Sequence, residues 1–240
     1  VSEKQLDDAV RNILRLKFRL GLFDNPYVDP ELSTRVNYCE EHLAAARRCA
    51  LESAVLLQNE NRVLPFDPSK KRLLVTGPLA DAPYEQMGTW TFDGEASHTV
   101  TPLAALRETY GDRIQIDYEP VLAYSRDTAT PAELAALTAR AARADAVLVV
   151  VGEEAILSGE AHCLGDLNLQ GSQRELMAAA RRSGKPVATI IMAGRPLTIA
   201  EDLKNTDALL YAFHPGTMGG PALVDLLFGV QLGGGTDIAR

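Results

Sequence analysis

Five short apolar runs constrain this chain more than any other feature: Leu73–Thr76, Ile114–Tyr118, Ala146–Val151, Val187–Met192 and Ala208–Phe213. Each is almost continuously apolar, the pattern of a parallel strand buried on both faces rather than of a strand with one wet side. Helical stretches separate most of them: Pro102–Thr109, Pro131–Ala144, Ser172–Ser183 and a short one near Thr198–Lys204, with a last helix over about Thr217–Phe228. Strand–helix alternation of this kind predicts an α/β fold, a doubly wound, mostly parallel sheet in an α/β sandwich. With 240 residues, 46% of them hydrophobic, the chain has enough apolar material for a sizeable core.

The N-terminal part reads differently. Ser2 and Gln5 form a capping box, and Leu6, Val10, Ile13 and Leu14 follow at helical spacing up to a stop at Gly21. Pro26 and Pro30 then break any periodicity, and a second helix is predicted from Asn37 to about Gln58. The expected organisation is a helix over 1–22, a linker over 23–37, an α/β sandwich domain over 38–229 and an irregular tail over 230–240. A helix joined to the rest by a linker suggests that it belongs to a structure not fully present in this chain.

Charge and cysteine usage exclude several functions. The formal net charge is −8, whereas nucleic acids and anionic membranes demand a basic surface, so neither is an expected partner. Cys39, Cys49 and Cys163 make no disulfide framework and no CxxC pattern, so no metal site is implied. Localisation is not legible, because residues 1–5 form neither a signal peptide nor a membrane span.

In an open parallel sheet, ligands bind outside the carboxyl ends of the strands. Two long loops fall there. One runs from Gly77 to about Thr101 and holds Trp90, Asp93, Glu95 and His98. The other follows Gly152-Glu153-Glu154 and holds Ser158-Gly159-Glu160-Ala161-His162 and Asp166. Loops of this length in a compact domain are uncommon and often functional. The turn at Gly77 is not GxGxxG, and neither GxxxxGK[ST] nor GxSxG occurs, which removes dinucleotide, P-loop and α/β-hydrolase readings. No cofactor is implied. The Gly-rich stretch His214–Gly220 offers amides that suit an anion, and a tight strand-to-helix turn accounts for the same glycines.

Taken together, several segments resemble family 3 glycoside hydrolases, the β-glucosidase-like enzymes. The segment Glu52-Ser-Ala-Val-Leu-Leu-Gln-Asn-Glu-Asn-Arg-Val-Leu-Pro65 looks like the start of that family's second domain. Leu73–Asp81 is similar to its first strand and turn, and Val149–Glu153 through Asp166–Leu169 to its acid/base loop. Met192-Ala-Gly-Arg-Pro-Leu197 and His214–Ala222 are similar to two further signatures, and Leu14–Phe23 to the last helix of the preceding barrel. The resemblance implies a retaining hydrolase of terminal β-linked sugars, such as β-glucosides, whose Asp nucleophile lies on a barrel missing from this chain. By motif position it implies Glu160 as the acid/base, with His162, Asp166 and Trp90 as candidate sugar contacts.

The chemistry suits the residue type. A general acid hands a proton to the leaving oxygen and later takes one from water, so its pKa must be lifted toward neutrality. Retention also needs two carboxyls about 5–5.5 Å apart, so the loop must reach across a domain boundary. Glu153 is the rival within the loop, but it abuts the strand end, where a side chain braces a turn. Loop capping explains His162 and Asp166 equally well, and a lone Trp serves as core or interface filler as readily as a sugar platform.

The pattern departs from the family at Leu164, where relatives have Arg, at Gln170, where Pro is expected, and after Gly229, where Val230-Gln-Leu-Gly-Gly-Gly follows. Without a nucleophile the chain is expected to lack ordinary glycosidase activity. Two other expectations stand beside this one: a stand-alone, non-catalytic sugar-binding or structural domain, and a truncated domain with a different hydrolytic activity. Loss of a barrel exposes a docking face, so a homo-oligomer is expected.

Overall fold

A computed structural model describes residues 1–230 of the chain. The five apolar runs form five strands, β2 (Arg72–Thr76), β3 (Gln115–Tyr118), β4 (Ala146–Gly152), β5 (Val187–Met192) and β6 (Ala208–Tyr211). A sixth, β1 (Val55–Asn59), pairs antiparallel with β6 at one edge, so the order is β1-β6-β5-β4-β2-β3 with every other pairing parallel. Residues 55–59 correct the expectation of a helix running to Gln58. Helix α3 (Glu40–Ser53) stops short of them, and pairing of Val55 with Tyr211, far along the chain, makes them a strand.

Successive residues of a strand point to opposite faces, so an all-apolar strand feeds two cores. Leu73, Val75, Leu148, Val150, Ile190 and Leu210 join one cluster with α5 (Pro102–Tyr110) and α8 (Gly219–Phe228). Leu74, Val147, Val149, Val151, Ile191 and Leu209 join the other with α6 (Pro131–Ala141) and α7 (Gln173–Arg181). The central strand β4 is buried at all its positions. The fold is therefore a doubly wound, mostly parallel α/β sandwich. The connection from β2 to α5 carries one short helix, α4 (Pro83–Met87), and a 3-10 turn at Ala96–His98. The short helix expected near Thr198–Lys204 is a 3-10 turn at Leu203–Asn205.

The chain divides into two compact units, Val1–His42 and Leu43 onward. In the first, α1 (Glu3–Arg19) opens with the Ser2–Gln5 capping box and buries none of its residues. The stretch read as linker contains a short helix, α2 (Leu32–Val36), held by an ion pair between Arg35 and Asp29 at 2.6 Å. The irregular tail expected over 230–240 lies, from residue 231 on, outside the described residues.

Candidate functional site

Where β4 ends, Gly152 adopts φ 144°, and a Cβ there would lie 1.7 Å from the Met192 carbonyl oxygen of β5, so only glycine fits. From this point the chain leaves the sheet, and its first residues are held by other segments. Gln173, fully buried at the start of α7, accepts from Gly152 N at 2.7 Å and donates to the carbonyls of Gly152 and Ser125 at 2.9 and 3.0 Å. Glu153 is 2% exposed and accepts Arg195 Nε on Oε1 at 3.0 Å. The same guanidinium donates through Nη2 to the Leu157 carbonyl. Glu154, also buried, accepts from the amide and hydroxyl of Ser125. Ala155 N donates to Glu85 Oε2 of α4 at 2.7 Å. Ser158 Oγ lies 3.5 Å from His214 Nε2. Residues 152–158 thus form a root fixed by side chains from α4, α7, the Ser125 segment and the turns after β5 and β6.

Beyond the root the loop turns outward. Glu160 is exposed, and Ala161 beside it takes the left-handed conformation at φ 62°. His162 Nδ1 is 2.9 Å from the carbonyl oxygen of Glu160, so the ring is tied to its own loop. Asp166 Oδ1 accepts from the amide and side-chain nitrogens of Asn168 at 3.0 and 2.6 Å, an Asx turn closing the loop. Leu164 is half-buried against the core shared by α6 and α7. The loop after β2 meets this one at Thr89, whose methyl would stand 2.7 Å from a Cβ on Gly159. Trp90, next to Thr89, is 62% exposed and touches Phe92 edge to face, with ring centroids 6.5 Å apart. Glu160 and Trp90 therefore follow directly on the contact point of two loops, whereas His162 and Asp166 have partners within their own loop.

Two titratable groups beneath the loop depart from their ordinary behaviour. Burial, reinforced by the nearby Glu154 carboxylate and opposed by the bond from Ala155 N, pushes the Glu85 carboxyl up. Burial pulls His214 below the ordinary imidazole value of 6.5, which favours a neutral ring against Ser158. Sequence reasoning did not single out Glu85, Ser125, Arg195 or Gln173 as bracing residues. The available signal was position for Arg195, just past a strand end. Ser125 and Glu85 lie in irregular or short segments whose approach to the root depends on tertiary folding.

An exposed carboxyl and an exposed indole each follow directly on the contact between two loops at the carboxyl edge of a doubly wound sheet, the edge at which α/β domains bind ligands. The chain matches the glycosyl hydrolase family 3 C-terminal domain over residues 54–236 and belongs to that family. It is 35% identical over 252 residues to the periplasmic β-glucosidase of Salmonella typhimurium, an alignment covering 95% of this chain and 33% of that protein. A β-xylosidase of Formosa agariphila is 32% identical over 234 residues, covering 94% of this chain and 32% of its own length. The crystal structure of a Listeria innocua β-glucosidase in complex with gluconolactone superposes with a TM-score of 0.82 at 34% identity, covering 95% of this chain and 31% of that one. The chain thus spans about a third of the length of the relatives it matches.

Proposed function

We propose that this chain is the acid/base-bearing second domain of a retaining β-glucosidase-like glycoside hydrolase acting on terminal β-linked sugars. Glu160 is the acid/base, and the nucleophile belongs to a barrel domain that docks at the carboxyl edge. The observation that carries this reading is the placement of Glu160: exposed, on a loop whose root is anchored by several segments, leaving the sheet edge where α/β proteins bind ligands. Glu153 does not suit the role, because it is buried and paired with Arg195. Trp90 is positioned to offer an apolar face to a sugar. His162 and Asp166 shape the loop and contact sugar hydroxyls only at its rim. Alone, the domain has one half of a two-carboxyl mechanism and is inactive as a glycosidase.

The test is hydrolysis of a chromogenic β-glucoside by the purified chain, and by the chain fused behind the barrel of a family 3 β-glucosidase. The chain alone is expected to be silent, and the fusion active. In the fusion, Glu160→Gln should slow glucosides with poor leaving groups on the order of a hundredfold or more, while activated aryl glucosides are cleaved and azide replaces water as acceptor. Activity of the chain alone that Glu160→Gln abolishes would overturn the two-domain reading.

A further inference from the structure

Among the braces at the loop root, Arg195 holds two points at once. Its Nε meets Glu153 Oε1 at 3.0 Å, ahead of the 3-10 turn Ala155–Leu157, and its Nη2 meets the carbonyl of Leu157, the last residue of that turn. Glu153 is 2% exposed, and the Arg195 side chain 19%. A guanidinium is planar, so fixing one nitrogen fixes the direction of the other, which a lysine ammonium does not do. Both contacts together set the angle at which Leu157-Ser158-Gly159 leaves the sheet toward Glu160.

We infer that Arg195 is a positioning residue: it touches no reacting atom but aims the loop so that the Glu160 carboxyl meets the leaving oxygen. The inference rests on the reading of Glu160 as the acid/base. Proton transfer from a carboxyl demands hydrogen-bond distance to one oxygen, and misplacement of about 1 Å costs on the order of a hundredfold in rate. Arg195→Met by itself would leave a buried, unpaired carboxylate at Glu153. The informative variants are therefore Arg195→Lys, which keeps charge without the fork, and the double variant Arg195→Met/Glu153→Gln, which removes the pair together.

Hydrogen exchange read by mass spectrometry on the 240-residue chain tests the brace itself. Amides of 157–166 should exchange on the order of tenfold faster in both variants, while peptides from β4 and β5 keep their protection. Unchanged exchange in 157–166, or equal loosening of the two strands, would overturn the inference. The barrel fusion then tests the consequence. Arg195→Lys should lower kcat/KM for an alkyl glucoside by on the order of ten- to a hundredfold and leave a dinitrophenyl glucoside unaffected, since only the poor leaving group needs the acid. Equal losses on both substrates would reduce Arg195 to a folding role. If Glu160→Gln itself shows no leaving-group dependence, the reading of Glu160 fails, and the exchange result still decides whether Arg195 holds the loop.

Discussion

Gly194 lies so close to Ser158 that a Cβ at position 194 would stand 2.1 Å from Ser158 Oγ and 2.9 Å from His214 Nε2. The turn after β5 therefore supports the loop that follows β4 by the absence of a side chain. Gly194→Ala must push Ser158 away from His214 or shift the turn carrying Arg195, an overpacking cost of about 1–3 kcal/mol. Urea unfolding should show this loss, and Gly194→Ala/Ser158→Gly should recover part of it. A Gly194→Ala variant as stable as the wild type would mean that the two turns are free to separate.

His214 makes the same contact sensitive to acid. Its folded pKa lies below the unfolded imidazole value of 6.5, chiefly through burial, so below pH 6.5 the unfolded chain binds the proton more readily. The stability it contributes is full above pH 6.5 and is lost as pH falls through the lowered value. Glu85 acts with the opposite sign: its raised pKa costs stability as pH rises above the ordinary glutamate value. Comparing wild type with His214→Gln cancels the Glu85 part. The urea midpoint of the wild type should drop more steeply between about pH 7 and about pH 5 than that of the variant. Parallel profiles would show that this ring does not titrate differently on folding.

Gln173 bonds both backbone groups of Gly152 through its side chain, and it is fully buried. Replacing it with leucine fills the space but strands the Gly152 N–H and C=O and the Ser125 carbonyl. Buried unpaired groups cost about 1–3 kcal/mol each, partly relieved by relaxation, so Gln173→Leu should destabilise by about 3 kcal/mol. Chemical unfolding checks this, and a loss below about 1 kcal/mol would mean that water replaces the amide.

The sheet was largely legible in the sequence, because strands buried on both faces must be apolar at every position, and Val187–Met192 is bounded as expected. The antiparallel edge strand was not. In β1, Val55 and Leu57 are 45% and 50% exposed, and the strand follows a helix with no proline or glycine between them. Only pairing with β6 makes it extended, and that partner lies across the whole domain. Of the candidate site, the two long loops were legible from their length, and Glu160 and Trp90 lie exposed on them. The bracing network was not, because Glu85 and Ser125 are ordinary polar residues in sequence and acquire meaning only from burial and distance, and the position of Arg195 past a strand end does not reveal its partners.

Two groups of exposed apolar side chains differ in how well they form an interface. On α1, Leu6, Val10, Ile13 and Leu14 are 57%, 50%, 60% and 40% exposed and share one helical face. At the carboxyl edge, Trp90 and Phe92 are 62% and 84% exposed but lie on a loop. A stripe on a preformed helix can bury its area against a second copy without ordering new backbone, whereas the loop residues must be immobilised as they pack. The purified chain should therefore associate mainly through α1, giving concentration-dependent dimers or larger species by light scattering. Leu6→Lys/Ile13→Lys should return it to monomer, and Trp90→Ser/Phe92→Ser should weaken association less. The reverse ranking would place the stickier surface at the proposed barrel-docking edge, and a monomeric wild type at high concentration would sink the expectation of an oligomer.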